Sequence, residues 1–173
     1  PFLQTFNPHR QSEAVLELAA SRRLTNAARR LLFDAQDPTR LRLYQTAIFC
    51  KREGHDETGW HTDLGTAPVD TNAMVTLWLP LSRVPARADG GTGLMFARGS
   101  HRDMGGLWYP NLMSDDAGID ARYGAPEDHG ALEAGDATWH HGWVLHAAPA
   151  CAMPGGARYA FTATYMAADA KAL

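Results

Sequence analysis

Long apolar runs are missing from this 173-residue chain. No stretch approaches the roughly 20 residues that a membrane-spanning helix requires, and no secretory leader stands at the start. The chain opens at Pro1 rather than Met, which leaves room for an upstream segment and a targeting signal with it. Cysteine is scarce. Cys50 and Cys151 are the two present, too few for a disulfide framework and not spaced as a metal knuckle, so a reducing, cytoplasmic setting is expected. Neither sign of charge dominates: 16 Lys and Arg against 19 Asp and Glu give a net charge of -3 and a pI near 6.2. Without a basic surplus there is no electrostatic footprint for nucleic acid or an anionic membrane. Repeats and low-complexity tracts are absent as well, which removes solenoids and linker-like chains. What remains is an ordinary globular composition, 45% hydrophobic and 20% charged, with a length suited to a single domain over 1–173.

Two periodicities divide the chain. Asn7-Pro8 reads as a helix start, a cap followed by a first-turn proline. Val15, Leu16, Ala19, Leu24, Ala27, Ala28, Leu31 and Leu32 then recur at helical spacing, with Arg22, Arg23, Arg29 and Arg30 falling between them on a solvated face. Helices are therefore expected, broken near Ser21 and ending before Asp37-Pro38. From Arg40 the period becomes two. Strands are expected over 40–50, 59–63, 72–81, 93–96, 132–139, 144–148 and 158–165. The stretch 102–129 is long, rich in Gly and Asp, and poorly periodic, the mark of a lid, a binding loop or a disordered segment. Helices first and then many short strands predict a mainly β fold, a double-sheet jelly roll with N-terminal flanking helices.

Chemistry concentrates in a few polar residues set among apolar ones. In Gly59-Trp60-His61-Thr62-Asp63, a strand would aim His61 and Asp63 at one point, since alternate residues share a face. One more imidazole would complete a 2-His-1-carboxylate triad, the set that holds non-haem Fe(II) and leaves positions open. Eight histidines are present. His146 stands out because it sits in the apolar run WVLHAAP and needs a partner there; a metal or a backbone carbonyl would serve, and His140 and His141 compete with it. Arg158 opens the last strand and shares a face with Ala160, Thr162 and Thr164. A guanidinium pointing inward must find an anion. A dicarboxylate spanning from metal to Arg158 meets that need bidentately, as would a salt bridge to an acidic side chain.

Beyond these residues, the strings KREGHDETGWHTD, TLWLPL, GTGLMFARGSH, LEAGDATWHHGWVLHAAP and RYAFTATYMAAD resemble, in order and spacing, the phytanoyl-CoA dioxygenase family of Fe(II)/2-oxoglutarate oxygenases. The resemblance runs from Phe6 to Asp169. It implies a double-stranded β-helix (a jelly roll of the cupin-like kind), iron on His61, Asp63 and His146, and Arg158 holding the distal carboxylate of 2-oxoglutarate with Thr162 beside it. Trp78 would line the co-substrate pocket. Three positions depart from the family pattern: Arg98 replaces a proline before the Gly-Ser-His turn, Ala148 a serine, and Cys151 an asparagine.

The implied activity is a dioxygenase that consumes 2-oxoglutarate and O2, releases succinate and CO2, and hydroxylates a small molecule. An aspartate at position 63, where halogenases of related type have Ala or Gly, favours hydroxylation over halogenation; desaturation and ring closure remain compatible. Trp139, Trp143, Trp108, Tyr109 and Asn111 are pocket candidates without a catalytic role, and His101 is expected to be structural. Two other classes compete. A cupin-like isomerase or zinc hydrolase could use the same three ligands, but would have no need of Arg158; a non-catalytic ligand-binding jelly roll would not need the ligands. The acyl-CoA substrate of the family's namesake does not transfer, and the pattern says nothing of oligomeric state.

Overall fold

Alternation along the longest strands sorts the side chains into a helix-covered face and a cavity face. The structure, a computed structural model, describes residues 2–103, 116–151 and 156–173. In chain order the elements are β1 (Leu3–Phe6), α1 (Glu13–Ala20), α2 (Arg22–Leu32), β2 (Leu41–Arg52), β3 (Thr58–His61), α3 (Asp63–Thr66), β4 (Met74–Pro80), β5 (Met95–Phe96), α4 (Asp116–Tyr123), β6 (Thr138–His141), β7 (His146–Ala148) and β8 (Ala157–Ala167). Among the described residues two sheets form: a five-stranded one in the order β1-β2-β8-β4-β6 and a three-stranded one in the order β3-β7-β5. All their pairings are antiparallel. This is the expected jelly-roll sandwich with helices on one flank.

The outer face of the large sheet carries Val75 and Leu77 from β4 and Phe161, Ala163 and Tyr165 from β8, packed under Ala19 and Ala28 of the helices. Each of the larger side chains contributes roughly 1.5–3 kcal/mol by leaving water. The Tyr165 hydroxyl donates to the Ala19 carbonyl at 2.7 Å, so it ties sheet to helix while satisfying its polar end. The intervening residues Thr76, Trp78, Arg158, Thr162 and Thr164 face the other way, into the space between the sheets. Ser21 separates the two helices with an extended backbone at φ -58° and ψ 141°, at the expected break. Among the described residues no helix is long and apolar enough to cross a membrane.

Several expectations require correction. β1 was not foreseen: all four of its residues are exposed, so no burial period marks it, yet it pairs from Leu3↔Cys50 to Phe6↔Ala47. Asn7-Pro8 does begin a helical turn, but a short 3-10 one over Pro8–Arg10. The 132–139 strand shrinks to β6, with Leu132 forming an isolated bridge to Val84. The 59–63 strand ends at His61, and Asp63 instead opens α3 behind the extended Thr62. Within 102–129, α4 occupies 116–123, while 104–115 lies outside the described residues.

β2 departs from simple alternation in a way that matters. A bulge between Leu43 and Gln45 shifts its register against β8, and one extra residue exchanges the two faces. Leu41 and Leu43 pack with the helix-covered core, as Ile48 does beyond the bulge. Gln45 and Phe49 therefore line the cavity, although an unbroken period of two would place them on the face of Leu43.

Candidate metal centre

His61 ends β3 and His146 begins β7, and the two are cross-strand partners. Their rings lie 4.1 Å apart, centroid to centroid. Asp63 joins them two residues on, held by the first turn of α3, where the Thr62 hydroxyl accepts from the Gly65 amide at 3.1 Å. One donor atom from each of His61, Asp63 and His146 lies within 4.8 Å of the others. This is the spacing at which one cation could touch all three.

The imidazoles are oriented for that role. His61 Nδ1 lies 2.8 Å from the Gly59 carbonyl and His146 Nδ1 lies 3.0 Å from that of Val144. A carbonyl can only accept, so each Nδ1 carries a proton, and in the neutral ring Nε2 is the nitrogen left with a free lone pair. Burial pushes the His146 imidazole down, to about 3, and the neighbouring His140 adds to this against the opposing pull of Asp63. Burial alone would lift the Asp63 carboxyl. The hydrogen bond from His140, the field of the surrounding imidazoles and the Thr76 hydroxyl outweigh it and hold the group well below the usual carboxylate range. A neutral imidazole beside an ionised carboxylate is the state a metal needs of its ligands.

The carboxylate also links the two sheets. Its Oδ2 accepts from Thr76 Oγ1 at 2.6 Å and faces His140 Nε2 at 3.1 Å, and Thr76 and His140 are cross-strand partners on β4 and β6. Of the three competing histidines, then, His146 joins the pair at 61 and 63, and His140 supports the carboxylate. His141 packs instead near His101, with ring centroids 5.6 Å apart.

A cavity of about 280 Å³ opens between the sheets, and His61, Asp63, His146, Trp78, Arg158 and Thr162 all line it. Arg158 is 4% exposed. Its guanidinium carbon stands 5.3 Å above the Trp78 ring, a cation–π contact that orients the planar fork. Burial lowers its pKa to about 10, so it stays charged at neutral pH. Among the described residues no carboxylate pairs with it, and its Nε is buried without a hydrogen-bond partner. The intramolecular salt bridge that the sequence left open is not formed there.

Trp139 packs against Tyr165 in the helix-covered core, and Trp143 donates to Asn72 Oδ1 at 2.8 Å; neither lines the cavity. Trp108, Tyr109 and Asn111 lie outside the described residues. Arg98 pairs with Glu127 at the surface. Lys51 was missed by sequence reasoning. It is fully buried, lies opposite Arg158 in the β2–β8 register, and its Nζ donates to the Ala148 and Pro149 carbonyls at 3.3 and 3.0 Å. The signal that could have found it is its place two residues beyond Phe49 on the face that the bulge turns inward.

No curated protein matches the sequence, but solved structures do. The non-haem α-ketoglutarate-dependent carbocyclase SnoK of nogalamycin biosynthesis superposes with a TM-score of 0.80 at 23% identity, covering 99% of this chain and 65% of SnoK. The epimerase SnoN, in complex with Fe3+, α-ketoglutarate and nogalamycin RO, gives 0.73 at 26% identity, covering 98% and 64%. EctD from S. alaskensis, with 2-oxoglutarate and 5-hydroxyectoine, gives 0.74 at 21%, covering 95% and 56%. The chain thus spans less than two thirds of the length of each. The sequence itself matches the phytanoyl-CoA dioxygenase family over residues 2–154. That match covers most of the chain, which therefore belongs to the phytanoyl-CoA dioxygenase family.

Proposed function

We propose that this chain is an Fe(II)- and 2-oxoglutarate-dependent oxygenase that hydroxylates a small molecule, with His61, Asp63 and His146 as the iron ligands and Arg158 as the anchor of the co-substrate's far carboxylate. The observation that carries the reading is a buried guanidinium with an orphaned Nε, in the same cavity as three convergent metal-binding groups. The donor set fits iron: two imidazoles and one carboxylate are the facial arrangement that leaves positions free. The Arg158 fork fits a carboxylate, which would relieve both its buried charge and its unpaired donor.

When bound, iron with 2-oxoglutarate and O2 supplies a two-electron oxidation of substrate, coupled to decarboxylation of the co-substrate to succinate and CO2. The chain's own part is placement. Carbonyls of Gly59 and Val144 fix the two imidazole tautomers, and the first turn of α3 presents Asp63. Trp78 braces Arg158 from below, and Thr162 offers a hydroxyl on the same face of β8. The carboxylate at position 63 favours hydroxylation over halogenation, because it fills the position a halide would take. SnoN and SnoK are described as an epimerase and a carbocyclase, and the same site is compatible with those outcomes of substrate oxidation. A zinc hydrolase on these ligands leaves Arg158 without a purpose.

Arg158→Ala tests the assignment. Loss of a bidentate, charge-assisted pair should weaken 2-oxoglutarate binding roughly 10- to 100-fold while leaving metal binding intact, as read by titration calorimetry on metal-loaded protein. Unchanged affinity for 2-oxoglutarate would remove Arg158 from the site.

A further inference from the structure

We propose that His140 is a positioning residue that makes Asp63 a one-oxygen ligand, an inference that rests on the assignment of Asp63 to the metal. The two oxygens of this carboxylate are treated differently. Oδ2 takes the Thr76 hydroxyl at 2.6 Å and His140 Nε2 at 3.1 Å, whereas Oδ1 faces His146 Nε2 at 3.7 Å. Two donors on one oxygen use its lone pairs and hold the carboxylate plane, which leaves Oδ1 to the metal. A carboxylate free to rotate could chelate through both oxygens and close a position that co-substrate or oxygen requires.

The donors are themselves fixed. Thr76 gives its hydroxyl proton to Asp63, so at its 3.1 Å contact with Thr164 Oγ1 it must accept. The relay therefore runs Thr164 to Thr76 to Asp63, across the β8–β4 pair. An ionised carboxylate can only accept, so His140 donates to it through Nε2, which turns Nδ1 away from the carboxylate. Among the described residues that Nδ1 is buried without a hydrogen-bond partner, in a side chain packed between the Phe96 ring at 5.7 Å and the His146 ring at 4.2 Å. A stranded polar nitrogen lowers stability, and an aromatic hydrocarbon would fill this slot without it. An imidazole here brings one thing phenyl does not, the second donor on Oδ2.

His140→Phe separates the two roles. Relief of the stranded Nδ1 and loss of the bond to Asp63 offset one another, so the metal-free variant should melt close to wild type. Its affinity for Co(II), a spectroscopic probe for the site, should fall roughly 10- to 100-fold, the usual effect of removing a partner of a metal ligand. The visible Co(II) spectrum should change as the carboxylate turns. His140→Gln, which keeps an N–H donor, should recover the wild-type spectrum and part of the affinity. Wild-type affinity and spectrum in His140→Phe would overturn the inference and leave the ligand assignment standing. An unfolded His140→Phe would overturn it as well, since the residue would then be structural. If wild-type protein binds no Co(II), the ligand assignment fails and this inference with it.

Discussion

One proton on each of two rings decides what His61 and His146 can do. Because Nδ1 of each faces a backbone carbonyl, Nε2 is left for a cation, and no other side chain is needed to set the tautomer. The residues that converge on this cavity were legible in the sequence for a simple reason: a histidine in an apolar strand, or an arginine on an inward face, is costly without a partner. Thr76 and His140 left no such signal. A threonine on a strand and one of two adjacent histidines look ordinary until the carboxylate they serve is in view. Lys51 was hidden by the bulge in β2. Burial, with the nearby Arg158 adding to it, lowers its ammonium to about 8 from the usual 10.5. Between those values the unfolded chain holds the proton more firmly than the folded one. The group's destabilising effect is therefore full below about pH 8 and relieved as pH rises toward 10.5. Relative to Lys51→Met, the wild type should gain roughly 2 kcal/mol between pH 7.5 and 10, read from urea unfolding at each pH. A difference that stays flat across that range would show that Lys51 titrates as a solvated side chain.

At the scale of elements, the site depends on how α3 is seated. Gly142, just past β6, accepts from the Leu64 amide at 2.9 Å and donates to the Met74 carbonyl at 2.8 Å. A Cβ there would meet Leu64 Cδ1 and Cγ at 2.7 Å and Met74 Cβ at 3.1 Å. Gly142→Ala should therefore push α3, and Asp63 with it, away from β4. We expect a loss of about 1–3 kcal/mol in thermal or urea unfolding, together with weaker metal binding; an unchanged melt with full metal affinity would show that α3 is free to shift. The strands of the large sheet were readable from alternation where both faces are buried differently, as in β4 and β8. β1 was not, because an exposed edge strand has no buried face to impose a period. Asp63 was expected on a strand and sits on a helical turn, yet it reaches the same point, since the extended Thr62 carries the strand's direction one residue further before the cap takes hold.

For the whole molecule, the sandwich gives each sheet a share of the site. The small sheet brings His61 and His146 together across β3 and β7, the large sheet grips Asp63 through β4 and β6, and β8 carries Arg158 into the same cavity of about 280 Å³. The jelly roll itself was legible from helices followed by short strands, and the order of its motifs pointed to the family. The substrate was not, because it is set by cavity walls that periodicity does not reveal. The central claim is that metal and co-substrate meet at one point inside this sandwich. Anaerobic titration of metal-free protein with Fe(II) and then 2-oxoglutarate tests it most directly. The account predicts a visible metal-to-ligand charge-transfer band that saturates at one equivalent of each and is lost in Asp63→Ala. Folded, iron-loaded protein that shows no such band with 2-oxoglutarate in excess would contradict it.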